Sequence, residues 1–228
     1  VRPGLAESLR LATQPLHAEV ERAGVMAALI RGQCDLATYC ALLRNLHALY
    51  AALESALAGH AGDPGIARVY FPELWRQSAI AADLRALHGE RWALDLELVP
   101  SADRYVEHLR RIEQEQPIRL VAHAYIRYLG DLSGGQILRR VLANVLQRDD
   151  GSGMQFYAYP QIRDTATFAE RYRAGLDSIE LDEQTAACVI AEARLGFQLH
   201  AAMFRELATA PAHPAGVDQL TPVQPRPV

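Results

Sequence analysis

The stretch IRLVAHAYIRYLGDLSGGQILRRVLANVLQ, Ile118 to Gln147, decides how the rest of the chain is read. Val121, Tyr125, Tyr128, Leu129 and Leu132 recur at three- and four-residue steps, and the pattern resumes through Ile137, Leu138, Val141, Leu142 and Val145. This spacing predicts one long amphipathic helix. Its two apolar runs are interrupted by Gly130-Asp131-Leu132-Ser133-Gly134-Gly135. A glycine inside a helix costs about 0.5–1 kcal/mol relative to alanine, so the three together forfeit about 2 kcal/mol. Two compensations are open. Gly130 and Gly134 form a small-xxx-small pair that lets another helix backbone come close. Alternatively, side-chain-free backbone at a bend lies over something flat and rigid. Asp131 and Ser133 would then put polar groups beside that surface. A carboxylate in such apolar company needs hydrogen-bond partners, either protein groups or waters.

Working outward, 228 residues suit one large domain or two small ones, and 50% hydrophobic with 22% charged residues is ordinary for a soluble protein. A net charge of −4 gives no support to a general nucleic-acid-binding role. All 23 lysine-plus-arginine residues are arginine, which removes lysine Schiff-base chemistry and the P-loop lysine. Cys34, Cys40 and Cys188 are odd in number and well separated, as expected of free thiols in a reducing cytoplasm. No apolar run approaches the length of a membrane span, and the start does not read as a signal peptide. A soluble, cytoplasmic protein without a membrane anchor is expected.

Helical periodicity runs through most of the remainder. Leu5 to Leu29 is predicted as a short lead-in helix, a break near Thr13 with Pro15 in the first turn of a fresh segment, and a helix carrying His17 and Glu21 that Gly32 ends. Further helices are expected over Leu36–Gly59, from Tyr70 to about Leu87, Ala102 to about Gln114, Thr165–Ser178 and Asp182–Leu207. Asp149-Asp150-Gly151-Ser152-Gly153 reads as a surface turn. No convincing β-alternation occurs, so the fold class is all-α, a single domain over 1–208 with six to eight helices. Residues 209–228, rich in proline and alanine, read as a disordered tail.

Few constellations could carry chemistry. His17 and Glu21, four apart, share a helix face, where a carboxylate can accept the second ring N–H of a metal-ligating imidazole. A solvated His–Glu pair fits the same spacing. A ferritin-like di-iron site fails because no glutamate is followed by histidine three residues later. No H-E-x-x-H, Walker A, G-x-S-x-G or dinucleotide fingerprint is present. His123 and His200 lie in helical patterns with nothing to pair them into a metal site. Arg10, two turns before His17, and Arg171 and Arg173 around Tyr172 could serve the rim of a cleft that takes a carboxylate-bearing ligand.

The run from Ala122 to Gln136, AHAYIRYLGDLSGGQ, closely resembles the distal-helix signature of heme oxygenases. Leu11 to Glu21 is similar to that family's proximal helix, and Tyr70-Phe71-Pro72-Glu73-Leu74 and the segment Phe168 to Arg173 also have counterparts. The resemblance covers about Leu5 to Leu207. It implies a helical bundle with heme b held between a proximal helix and a kinked distal helix. His17 falls at the axial iron ligand, with Glu21 as its hydrogen-bond partner. Gly130 and Gly134 fall where backbone meets the distal heme face, and Ser133 and Gly135 in the same run line the cofactor. Asp131 matches the aspartate that holds water near iron-bound dioxygen, and Arg127 belongs to the same polar network. Arg10, Tyr125 and Arg173 match positions near the propionates, and Phe197 a pocket wall.

Gln14 and Ala169 stand where members often carry basic residues, and His200 where animal members often have asparagine. Fewer propionate anchors leave open which meso carbon is attacked.

The implied activity is O2- and electron-dependent cleavage of heme to biliverdin, CO and ferrous iron through a ferric hydroperoxide. Electrons would come from an external reductase or ferredoxin, docked on arginines such as Arg119, Arg127, Arg139 and Arg140, and the enzyme is expected to be a soluble bacterial monomer. A heme carrier without chemistry and a thiaminase-like hydrolase on a related scaffold are the competing readings.

Overall fold

The computed structural model describes residues 3–148 and 151–210. It is all helical, with no strand among the described residues. The α-helices are α1 (Leu5–Glu21), α2 (Gly24–Ile30), α3 (Leu36–Gly59), α4 (Gln77–Leu87), α5 (Trp92–Asp95), α6 (Pro100–Glu115), α7 (Leu120–Ala124), α8 (Gly130–Leu146), α9 (Thr165–Asp177) and α10 (Glu183–Thr209).

Two long helices organise the packing. On α3, Tyr39, Leu42, Leu43, Leu46, Leu49, Tyr50 and Leu53 are all buried, because leucine and tyrosine recur at the helical period around most of its circumference. It packs against α4 and α6. The other, α10, packs against α1, α2, α6 and α7 and buries Val189, Phe197, Met203 and Phe204. Acidic caps set several starts: Asp35 accepts from the Thr38 N–H at 2.7 Å, Asp164 caps α9 and Asp182 caps α10. The start of α1 borrows its cap from α9, where Asp177 accepts the Ala6 N–H at 2.8 Å.

Three expectations are corrected. First, α1 runs unbroken from Leu5 to Glu21 through Pro15; the break comes at Arg22-Ala23. Pro15 and Leu11 are both exposed, so the carbonyl deprived of its helical donor lies on the solvent side. Thr13 is not an N-cap: its hydroxyl donates back to the Leu9 carbonyl at 2.7 Å. Second, the irregularity in the long helix precedes the glycines. Tyr125–Leu129 form a π-helical turn between α7 and α8, and α8 is regular through Gly130, Gly134 and Gly135. A π turn inserts an extra residue into the helix, so the departure from regular α-helix falls before the glycines and not at them. Third, Thr209 still belongs to α10, which moves the boundary of the tail; 211–228 lie outside the described residues. Asp149 and Asp150 lie outside them too.

Candidate active site

The π turn sorts the residues of the signature stretch by direction. A Cβ built on Gly130 or Gly134 would meet nothing within 4 Å, whereas one on Gly135 would come 3.3 Å from the Tyr157 ring. Gly130 and Gly134 therefore bare the helix backbone toward open space. This excludes the helix-packing reading, which requires a neighbour against that face. Gly135 belongs to the other side, packing on the turn at Tyr157, so its expected place in the cofactor lining is corrected. Ser133 is exposed.

The helices α1 and α8 are flanked by common neighbours, α2 and α9. On α1, His17 has a half-exposed side chain, with its Nδ1 3.6 Å from Glu21 Oε1 and its ring 5.8 Å from Phe197 of α10. The Nδ1–Glu21 approach is longer than a hydrogen bond but needs only a small rotamer change to become one. It leaves Nε2 free.

Tyr125, in the π turn, reaches across to α1. Its hydroxyl lies 3.3 Å from Thr13 Oγ1, and because Thr13 spends its proton on Leu9, Tyr125 is the donor. Burial pushes the Tyr125 phenol up, opposed by the charges of Arg10 and Arg173. Arg10 and Arg173 thus both lie within electrostatic reach of Tyr125. Arg10 is at the same time held in a fork by Glu7, at 2.7 Å from both guanidinium nitrogens.

Asp131 is buried on the inner side of α8. Its Oδ1 accepts from Arg127 Nη2 at 2.8 Å, and its Oδ2 accepts from the Tyr50 hydroxyl, so both oxygens have protein partners. Arg127 also donates through Nε to the Tyr50 oxygen at 3.0 Å. Burial pushes the Asp131 carboxyl above its usual range, with Arg127 and then Tyr50 pulling the other way. The Tyr50 phenol, completely buried, is pushed well up and keeps its proton to donate. Arg127 is therefore a mostly enclosed cation turned inward and not part of a docking surface, and Arg119 is likewise drawn inward by Glu192. Only Arg139 and Arg140 of the four surface candidates are exposed.

Sequence reasoning missed the residues behind this pair. Glu54 on α3 accepts the Arg76 and Gln77 N–H groups at 2.5 and 3.3 Å, and burial raises its carboxyl to about 7. His123, for which no partner was legible, joins His108 and Glu192 in a buried cluster whose ligand atoms lie within 4.8 Å of one another. That spacing would admit a metal ion. Hydrogen bonds already account for every one of these atoms, and Arg119 pairs with the same carboxylate. A glutamate on α10 facing histidines on α6 and α7 leaves no local sequence signal.

One helix bares its backbone to open space at Gly130 and Gly134 and carries a buried, clamped aspartate between them, while a half-exposed histidine lies on a helix that shares its neighbours. Comparison with known proteins narrows the class. The model of the heme oxygenase family matches residues 3–206. Heme oxygenase 1 of Nostoc sp. is 34% identical over 203 residues, covering 89% of this chain and 85% of its own. Heme oxygenase of Pyropia yezoensis is 37% identical over 203 residues, covering 89% and 85%. The crystal structure of heme oxygenase-2 from Synechocystis sp. in complex with heme and NO is 38% identical, with a TM-score of 0.86, 90% of this chain and 85% of that one being covered. The chain belongs to the heme oxygenase family.

Proposed function

We propose that the cleft beside α1 and α8 takes heme as its substrate, with His17 Nε2 as the axial ligand of the iron and the Gly130–Gly134 face over the opposite side of the ring. The observation that carries this reading is the empty space in front of Gly130 and Gly134. A planar macrocycle needs a wall without side chains, and a ring edge bearing carboxylates suits Arg10, Tyr125 and Arg173. The relative from Synechocystis was solved with heme bound. The reaction is oxidative cleavage of heme to biliverdin, CO and ferrous iron.

When bound, heme supplies both the iron that activates dioxygen and the carbon skeleton that is attacked. The protein's own residues do the rest. With a small rotamer change Glu21 would accept the His17 Nδ1–H and make Nε2 the better ligand. The backbone at Gly130 and Gly134 leaves little height above the ring, so that a small molecule there must lie toward its edge. Asp131 is the proton-handling group. Arg127 fixes Oδ1 and the Tyr50 hydroxyl donates to Oδ2, so the carboxyl is held in one orientation, and burial raises its affinity for a proton. Electrons come from a separate ferredoxin or flavoprotein reductase, drawn to exposed arginines such as Arg139 and Arg140. The enzyme acts as a cytoplasmic monomer; no helix of the described residues is long and apolar enough to cross a membrane.

The hydrolase reading needs a reactive thiol in the cleft. Burial pushes both Cys34 and Cys40 up to about 12, so neither of these two thiols supplies it, and Cys188, on α10, stands in no catalytic motif. The carrier reading is separated by experiment: the hemin-loaded protein is given a reducing system and oxygen. Loss of the Soret band with the appearance of a bilin is expected. A Soret band that persists, with heme bound and unmodified, would leave a carrier.

A further inference from the structure

A second polar system lies behind Arg127, and its hydrogens can be placed one by one. Glu192, buried on α10, receives the Nε2 of His108 at 2.5 Å and the Nε2 of His123 at 2.8 Å on a single oxygen, Oε1; Arg119 takes Oε2. An ionised carboxylate only accepts, so both ring nitrogens carry hydrogen. The far side of His108 agrees, since Arg111 Nη2 donates to its Nδ1 at 2.8 Å. For His123, protonation at Nε2 leaves Nδ1 bare, and the Tyr105 hydroxyl donates to it at 2.8 Å.

Tyr105 has then spent its proton and presents only lone pairs. His200 Nδ1 lies 3.3 Å from that oxygen and 2.9 Å from the Gly196 carbonyl, and both are acceptors, so His200 is protonated at Nδ1. Its Nε2 is therefore bare, and Arg127 Nη1 reaches it at 3.4 Å. Burial, ahead of every other cause, lowers His123 and His200 below the usual histidine range, which keeps both rings neutral and each tautomer meaningful.

We infer that Glu192 is a remote positioning residue for the active site: it fixes the tautomer of His123 and the direction of the Tyr105 hydroxyl, and these hold His200 with a lone pair facing Arg127, the residue that clamps Asp131. Arg127 then spends each face of its guanidinium on a different partner, His200 at Nη1, Tyr50 at Nε and Asp131 at Nη2. If one hydrogen in the series is reversed, two donors meet at Tyr105 and His200 or at His200 and Arg127, and the clamp must move. This rests on Asp131 being the proton-handling residue proposed above, but the arrangement of hydrogens exists without heme.

The test therefore uses the heme-free full chain labelled with nitrogen-15, read by NMR at the histidine rings and at the Arg127 Nε–H. Expected are Nε2–H for His108 and His123, Nδ1–H for His200, and a protected Arg127 Nε–H. Glu192→Gln should move His123 to Nδ1–H and speed Arg127 Nε–H exchange by about tenfold, the scale of one lost hydrogen bond to a charged group. At the other end, His200→Gln keeps an acceptor and should preserve that protection, whereas His200→Leu should lose it. Nε2–H on wild-type His200, an unchanged His123 tautomer or unchanged Arg127 exchange in Glu192→Gln, or unchanged Arg127 exchange in His200→Leu, would overturn the inference. Failure of hemin to bind would overturn the proposed function and leave these readouts standing.

Discussion

Replacing both open-faced glycines by alanine has opposite consequences for the empty and the loaded protein. Gly130 and Gly134 sit in a regular helix, and a methyl group added at either meets nothing within 4 Å. In the heme-free protein Gly130→Ala/Gly134→Ala adds helix propensity and no clash. The gain is about 0.5–1 kcal/mol at each position. For a chain of this size, each kcal/mol raises Tm by about 2–4 °C, so the double variant should melt about 2–8 °C higher. With heme present, the same two methyl groups stand where the ring must lie. Overpacking of this kind costs about 1–3 kcal/mol, so the dissociation constant for hemin should rise by between about fivefold and a hundredfold or more. Thermal melts of the heme-free variant and a hemin titration followed at the Soret band measure the two halves. A variant that melts lower than wild type would show that protein, not ligand, occupies the glycine face, and the reasoning would fall. Gly135→Ala is the control: its methyl comes 3.3 Å from Tyr157, so it should leave hemin affinity unchanged.

Other perturbations probe single links. His17→Ala should reduce bilin formation to background while hemin still enters the cleft, with added imidazole restoring part of the rate; full activity without imidazole would refute the ligand assignment. Asp131→Asn keeps the shape but cannot take a proton, and should slow bilin formation by about a hundredfold in stopped-flow spectra, the lower range for a general acid–base group. Tyr50→Phe leaves a buried carboxylate oxygen unpaired and should destabilise the heme-free protein by about 1.5–3 kcal/mol in urea. Glu54, raised by burial from 4.5 to about 7, binds its proton more tightly folded than unfolded, so its contribution is present below pH 4.5 and is lost as pH rises through 7. Glu54→Gln should accordingly flatten a decline of up to about 3 kcal/mol between these limits; an unchanged slope of stability against pH would contradict the assignment.

What could be read in the residues followed local patterns. The period of Leu42, Leu46, Leu49 and Leu53 announced α3 because one helix carries its own signal, whereas the capping roles of Asp164 and Asp182 emerge only in the structure. His17 with Glu21, and Gly130 with Gly134, were legible for the same reason: partners within a turn of one helix. The π turn at Tyr125–Leu129 was not, since a π turn uses the same residues as an α-helix and shows only in hydrogen bonding. The break expected near Thr13 is absent because Pro15 sits inside α1 with the carbonyl it deprives, that of Leu11, on the solvent side, where water can replace the lost donor. The Tyr50–Asp131 and Glu192–His123 contacts span 81 and 69 residues, and no periodicity joins positions so far apart.

The most direct test of a heme held between His17 and bare helix backbone is a crystal structure of the chain grown with hemin. The porphyrin should lie with His17 Nε2 on the iron and with Gly130 and Gly134 over its other face. Heme ligated by another side chain, or seated away from those glycines, would contradict the account.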